Sequence, residues 1–351
     1  MEAPLLENLN NFAPLAISFP EKVKIMNPEH SGTQCSTGNT GSPRDLIMSY
    51  ATNAQFADFA RFLLSARKFC SSDTTDIVMF VEPQIEPQFL ELASELRVIL
   101  VPVCSLWREI SGNLTLKVLY RGLLHALELG ASGTSSSAYA EVYRAATSNW
   151  IHPIGGRHLV YQDFLRTNAL YRCVLLSDSR DVVFQDNPFP HVNPNVLNVF
   201  EQDRSMLYGG DNLDTKWFAS VIGNDLLNKV KGKQTICAGT IMGSPGVLLK
   251  YLALMEKEIL THKFKPIDQP MHNKVVYLDW PQELLASHSN QSGVIFTVAE
   301  TSDSDYKIEE NKVVINNKVV PVLHQYDRVP KLKSMIHLLY PVAQGKSLSV
   351  S

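Results

Sequence analysis

Two acids three residues apart, Asp178 and Asp181, interrupt an apolar run: Leu175-Leu176-Ser177-Asp178-Ser179-Arg180-Asp181-Val182-Val183-Phe184. Carboxylate oxygens are the hard donors that Mg2+ and Mn2+ prefer. Open parallel sheets bind ligands beyond the carboxyl ends of their strands, and a buried strand ending in acids presents them there. A cation so held neutralises charge building on a phosphate leaving group. The plain alternative is a turn capped by aspartates, and a D-x-x-D spacing alone leaves both readings open. Late in the chain, Val322-Leu323-His324-Gln325-Tyr326-Asp327-Arg328 sets a histidine after an apolar strand. Neutral imidazole coordinates Mn2+ but is a poor ligand for Mg2+. Arg157, in HPIGGRHLVYQDFL, offers a fork of donors suited to phosphate, with a salt bridge to Asp163 as the competing use. His152, His158, His262, His272, His288 and His337 show no ligand spacing and read as ordinary core or surface residues.

The elements that must position these residues are short apolar strands alternating with amphipathic helices. DLIMSYA (45–51), DIVMFV (76–81) and RVILVPV (97–103) read as buried strands, with helices over 55–69 and 87–96 between them. This alternation predicts an α/β fold, a Rossmann-like mixed but mainly parallel sheet flanked by helices on both faces. Residues 113–150 read as helical with a break at SGTSSS (132–137); further helices are expected around 156–169 and 217–231. TICAGTIMGS (235–244) reads as a strand, GVLLKYLALMEKEIL (246–260) as an amphipathic helix, and Asn316-Asn317 as a hairpin turn. Residues 1–43 are expected to form a poorly ordered arm, and 44–345 a single domain.

Bulk properties exclude several classes. The 351 residues carry a net charge of -3, which makes no electrostatic case for nucleic acid as a partner. No stretch reaches the roughly 18 apolar residues of a membrane span. Five cysteines, with no CxxC pair, indicate neither a zinc site nor a disulfide framework. Cys104, Cys173 and Cys237 sit in apolar stretches and are expected as buried thiols, which favours a reducing, cytoplasmic location. A piece of a membrane-anchored enzyme of the Golgi lumen would read the same.

In their order along the chain, these segments resemble the GT-A glycosyltransferases over about residues 45–328, with glycogenin-like and other retaining members giving the nearest motif order. DLIMSYATN is similar to the family's first strand, whose end contacts base and ribose. The strand end at Asp178 is similar to its D-x-D site, and TICAGTIMGS to its N-S-G-V strand, with Gly239 at the close approach. Asp268-Gln269 resembles the D-Q pair beside the donor sugar, and His324 stands where many members bring a histidine to the metal. Two positions depart: Arg180 replaces the second acid of D-x-D, and C-A-G-T lacks the amide of N-S-G-V.

The resemblance implies a hexosyltransferase moving a sugar from a nucleotide sugar, UDP-linked, to a hydroxyl of a glycan or other acceptor. Mn2+ or Mg2+ is held by Asp178, Asp181 and His324. Residues 44–184 are the nucleotide-binding half and 185–345 the sugar and acceptor half. Nucleotide contacts fall to Ser49, Tyr50, Ala51, Thr52, Asn53, Arg157, Asp178, Ser179 and Arg180, and donor-sugar contacts to Gly239, Asp211, Asp268 and Gln269. Asp211 and Asp268 are the expected catalytic carboxylates, because carboxylates accept bonds from sugar hydroxyls and can take an acceptor's proton. Asp268 also reads as a helix N-cap before Gln269-Pro270. The D-Q pair points to a retaining mechanism. A dehydrogenase or nucleotidyltransferase would need a Gly-rich loop after the first strand, and SYATNAQFADF has none. A catalytically degenerate sugar-nucleotide or glycan-binding module is the non-enzymatic alternative, kept open by Arg180.

Overall fold

Asp45–Tyr50 (β1), Thr75–Val81 (β2) and Ile99–Pro102 (β3) are apolar runs separated by the helices Phe56–Phe69 (α1) and Pro87–Glu95 (α2). Their side chains alternate between two cores: Ile47, Ile77 and Met79 point to one face, Leu46, Met48, Val78 and Phe80 to the other. A strand buried on both faces has no solvent side to show, hence the mainly apolar sequence. Each such side chain contributes about 1.5–3 kcal/mol by leaving water. The computed structural model of the chain describes residues 43–133, 137–265 and 267–342. The expected N-terminal arm, apart from Pro43, lies outside them.

Three helices, Trp107–Gly112 (α3), Leu114–Gly133 (α4) and Ser137–Trp150 (α5), precede Pro153–Thr167 (α6). The chain then re-enters the sheet as Val174–Ser177 (β4), turns through the acids, and leaves as Val182–Phe184 (β5). Leu197–Glu201 (β6) follows. The helix expected near 217–231 is two helices, Leu213–Val221 (α7) and Asn224–Val230 (α8), parted at Gly223, whose φ of 107° only glycine adopts without strain. Ile236–Gly243 (β7), Pro245–Thr261 (α9) and Gln269–Lys274 (α10) come next, then Leu285–His288 (β8).

The seven-stranded sheet has the order β3-β2-β1-β4-β7-β6-β8. Pairing is parallel from β3 to β4 and between β6 and β8; only β7 runs antiparallel to both its neighbours. Phe59, Phe62, Leu63 and Ala66 of α1 cover one face, while Leu159 and Leu165 of α6 and Leu248, Leu252 and Met255 of α9 cover the other. The sheet is therefore mixed, mainly parallel, and helix-covered on both sides.

The remaining strands, Ile295–Thr297 (β9), Lys307–Glu309 (β10), Lys312–Ile315 (β11), Lys318–Val319 (β12) and Val322–His324 (β13), form two small sheets with β5. Asn316 and Asn317, with φ of 51° and 59°, make the β11–β12 turn, as the Asn-Asn pair predicts. Pro330–Leu339 (α11) closes a third core around Phe296, Leu323, Leu332 and Ile336. The amide of Gln185 joins the two small sheets, accepting from Val313 N at 2.8 Å and donating to Val320 O at 2.9 Å. In sequence β5 reads as a second short extended piece leaving the polar turn that ends β4. In space it belongs to a different sheet, antiparallel to β13, with His324 opposite Val182.

His272 lies within α10, fully buried, its Nδ1 2.7 Å from the Tyr251 hydroxyl. Burial pushes its pKa down to about 3, whereas an unfolded histidine titrates near 6.5. Between those values the unfolded chain binds the extra proton, so stability falls as pH drops below about 6.5, by about 1.4 kcal/mol per unit. Denaturant unfolding at pH 7.5 and 5.5 checks this. The stability difference between wild type and His272→Gln should shrink by about 1 kcal/mol at the lower pH, and a pH-independent difference would contradict it.

Candidate functional site

The carboxyl ends of β1 and β4, the middle of β7, the first turns of α6 and α10 and the end of β13 surround a cavity of about 710 Å³. A parallel sheet leaves a crevice at this edge because the chain turns away from each strand end toward its covering helix. Asp178 and Asp181 stand on the β4–β5 turn at the cavity floor.

His324 reaches the acids through β-pairing. With His324 opposite Val182, the N–H of Gln325 donates to Asp181 O at 2.7 Å, and Gln325 itself takes a left-handed φ of 60°. Nε2 of His324 then lies 3.4 Å from Asp178 Oδ2 and 3.7 Å from Asp181 Oδ1. One ligand atom from each of the three residues falls within 4.8 Å of the others. His324 Nε2 is buried without a hydrogen-bond partner. Two carboxylate oxygens and an unpartnered ring nitrogen aimed at one point suit a divalent cation. Burial opposes a charge on His324, yet the Cys237 sulfur and the Asp178 carboxylate hold its pKa well above the usual imidazole value. The carboxylates of Asp178 and Asp181, which favour positive charge beside Nε2, would favour a metal ion there as well.

Gly239 makes room for this cluster. A Cβ there would lie 2.6 Å from Asp178 Oδ2 and 2.7 Å from His324 Nε2. Pairing between β6 and β7 breaks at this point: Val199 faces Ile241, but Phe200 faces Cys237. The backbone groups of Ala238 are taken up elsewhere: its N donates to Gln269 Oε1 at 2.8 Å and its O accepts from Arg157 Nη2 at 3.2 Å. On the other edge of β7, Gly239 O accepts from Asp178 N at 2.8 Å and extends the pairing with β4.

Arg157 does not pair with Asp163, which is held by Arg144. Its Nη1 donates to Asp178 Oδ1, and its Nη2 to Asp268 Oδ2 at 2.7 Å. His158 Nε2 meets the same Asp268 oxygen at 3.0 Å. Burial opposes the guanidinium charge, but the two carboxylates raise its pKa well above the ordinary arginine value. Burial likewise works against ionised Asp178 and Asp268, and Arg157 overcomes it, holding both below the usual carboxylate range. Asp181 is raised by its burial, with Asp178 adding to the shift. Asp178 therefore divides its oxygens: one serves Arg157, the other faces His324.

Of the residues expected to bind nucleotide, Tyr50, Ala51, Thr52, Asn53, Arg157, Asp178, Ser179 and Arg180 all line the cavity. Ser49 does not: it lies inside the sheet, its hydroxyl donating to Ser177 O at 2.7 Å. Gly239, Asp268 and Gln269 line the cavity too, but both ends of the Gln269 amide are engaged by β7, at Ala238 N and Ile236 O. The Asp268 side chain caps no helix N–H. Asp211 stands outside, 91% exposed and 2.7 Å from Lys216. Cys104 is exposed rather than buried, because the chain leaves the sheet at Pro102; Cys173 and Cys237 are buried as expected, and Cys35 lies outside the described residues.

The sequence reading missed Cys237, His158, His152, Trp107 and Glu82. Cys237 sits two residues before Gly239, so strand alternation puts the two on one face. Nothing in the spacing of His158 signals its bond to Asp268. His152 and Trp107 line the cavity with ring centroids 5.3 Å apart, and Glu82 accepts from Asn53 N.

Neither a family model nor a curated protein matches the chain. Among solved structures, the galactosyltransferase LgtC, in complex with donor and acceptor sugar analogs, superposes with a TM-score of 0.45 and 11% identity, over 86% of this chain and 98% of that one. The bifunctional glycosyltransferase WbbM superposes with a TM-score of 0.43 and 13% identity, over 72% of this chain and 40% of that one. Both of these solved structures are glycosyltransferases.

Gly239→Ala should displace His324 or Asp178 while leaving the fold intact, since Gly239 is not among the residues with positive φ. Titration with Mn2+, followed by the electron paramagnetic resonance of the free ion, should show at least about a tenfold loss of affinity, as when a group that orients a ligand is removed. Gly246→Ala, whose Cβ meets nothing within 4 Å, is the control. Equal affinities for both variants would remove Gly239 from the site.

Proposed function

We propose that this chain is a metal-dependent glycosyltransferase of the GT-A type, moving a sugar from a UDP-sugar to a hydroxyl of a glycan or other acceptor. The observation that carries the reading is the convergence of Asp178, Asp181 and His324, with Arg157 beside them, at the carboxyl ends of β1 and β4. Asp178, Asp181 and His324 would hold Mn2+, the ion that a mixed oxygen and imidazole set favours over Mg2+. When bound, it supplies charge stabilisation for a departing nucleoside diphosphate.

The other groups divide the remaining work. Tyr50, Ala51, Thr52 and Asn53 line the β1 end and suit the nucleoside. Arg180, exposed at the cavity, offers its guanidinium to phosphate oxygens. Asp268 is kept ionised by Arg157 and His158. A carboxylate held below its usual range is a good hydrogen-bond acceptor for a sugar hydroxyl and a poor proton acceptor. That favours a positioning role over general-base catalysis, and with it a retaining outcome. Asp211, whose carboxylate stands in solvent with Lys216, has no part in the site.

A second reading, a sugar-nucleotide or glycan-binding module without turnover, draws on Arg157, which already occupies one oxygen of Asp178. Incubating the chain with a panel of nucleotide sugars, with and without Mn2+, separates the two. Mn2+-dependent release of nucleoside diphosphate is expected. Asp178→Asn and Asp181→Asn should each reduce it by about 100-fold or more, beyond the 10–100-fold cost ordinary for groups that only orient a ligand. Donor binding without release would favour the module. Near-normal Mn2+-dependent release by both variants would remove the acids from the mechanism.

A further inference from the structure

The imidazole of His324 has two nitrogens, and only one can serve a cation. Its Nδ1 lies 3.3 Å from Cys237 Sγ. Its Nε2 faces Asp178 and Asp181 and has no hydrogen-bond partner. Both residues are almost fully buried, at 1% and 3% exposure, so bulk water does not compete for either nitrogen. Pairing of β13 with β5 and β9 fixes the histidine backbone but does not choose which ring nitrogen carries the hydrogen. On the β7 side the ring lies against Gly239, which has no side chain to hold it.

A neutral imidazole carries one N–H and one lone pair. With the hydrogen on Nδ1, the N–H points at sulfur and the Nε2 lone pair joins the two carboxylate oxygens. With the hydrogen on Nε2, no lone pair is left facing the acids, and the three groups cannot share a cation. Sulfur is a weak acceptor, but once a cation draws on both carboxylates the hydrogen must sit on Nδ1, where it would otherwise be an unmet buried donor, a cost that even a weak partner lowers.

We infer that Cys237 is a positioning residue for the metal site: its Sγ accepts from His324 Nδ1–H and so turns the Nε2 lone pair toward the cation between Asp178 and Asp181. This inference rests on the metal assignment proposed above and adds a part for the cysteine, which replaces the Asn of the N-S-G-V pattern with a sulfur. Metal-ligating histidines ordinarily give their second N–H to a carboxylate or a carbonyl; here a thiol fills that place.

Two substitutions separate acceptor chemistry from packing. Cys237→Val suits a strand and has no acceptor, at the cost of somewhat more bulk than cysteine, and its thermal midpoint reports any overpacking; Cys237→Ser keeps an acceptor oxygen. Mn2+ affinity is read directly by electron paramagnetic resonance on the purified chain, with thermal midpoints recorded alongside. Cys237→Val should bind Mn2+ about 10–100-fold more weakly than wild type, and Cys237→Ser should stay within about threefold. Wild-type affinity in Cys237→Val overturns the inference. Equal losses in both variants also overturn it, by assigning the effect to packing. A wild-type chain that binds no Mn2+ overturns it together with the metal assignment, an outcome distinct from the other two because it appears before any substitution is made.

Discussion

A largely buried guanidinium between one buried carboxylate, Asp268, and one half-buried carboxylate, Asp178, is the constraint on which this site depends. Removing ions from water costs several kcal/mol each unless partners and hydrogen bonds replace the solvent, and breaking such a pair by removing one member typically costs about 3–5 kcal/mol. Arg157 comes from α6, Asp178 from the end of β4 and Asp268 from the start of α10, so satisfying one cation locks three elements together. The same guanidinium reaches the Ala238 carbonyl on β7. The acids are not free groups waiting in a cleft. Arg157 takes one oxygen of Asp178 and leaves the other beside His324, and that division gives the cavity floor its geometry.

The break in the β6–β7 ladder is the second support. A strand that paired regularly through Ala238 would spend that residue's backbone groups on β6. Instead, Gln269 and Asn273 take up Ala238 N and both polar groups of Ile236, Arg157 takes up Ala238 O, and Gly239 O stays with β4 through Asp178 N. Gln269, which in sequence resembles a substrate contact, is thereby a splint for β7. Gly239 is needed because His324 and Asp178 fill the space above it. The departure from N-S-G-V falls in this stretch, where Cys237 meets His324 instead of presenting an amide to the cavity.

Local signals carried the fold a long way. The apolar runs of β1, β2, β4 and β7, the amphipathic α1 and α9 and the Asn316-Asn317 turn are written in nearest-neighbour pattern, because burial on two faces, burial on one and positive φ each demand particular residue types. Gly223 shows the limit: a single glycine splits one expected helix into two, and its composition alone did not say that φ would be positive there. Cys104 shows another. Its apolar surroundings suggested burial, but exposure depends on where the strand ends, and β3 ends at Pro102.

What the sequence by itself determined is a mainly parallel α/β sheet with two acids at a strand end and a histidine following a late apolar strand. Each of those is a property of a few adjacent residues. Tertiary structure decided which groups meet. Residues 146 apart, Asp178 and His324, come together only because β5 leaves the main sheet and pairs with β13, a long-range register no local pattern encodes. Arg157 found Asp178 and Asp268 rather than the nearby Asp163, because burial selects partners by position in space. Asp211, a sugar contact in the sequence reading, ended in solvent beside Lys216, outside the cavity lining. Sequence proximity sets secondary structure through backbone geometry, while the partners of a buried charge are set by the packing that excludes water around it.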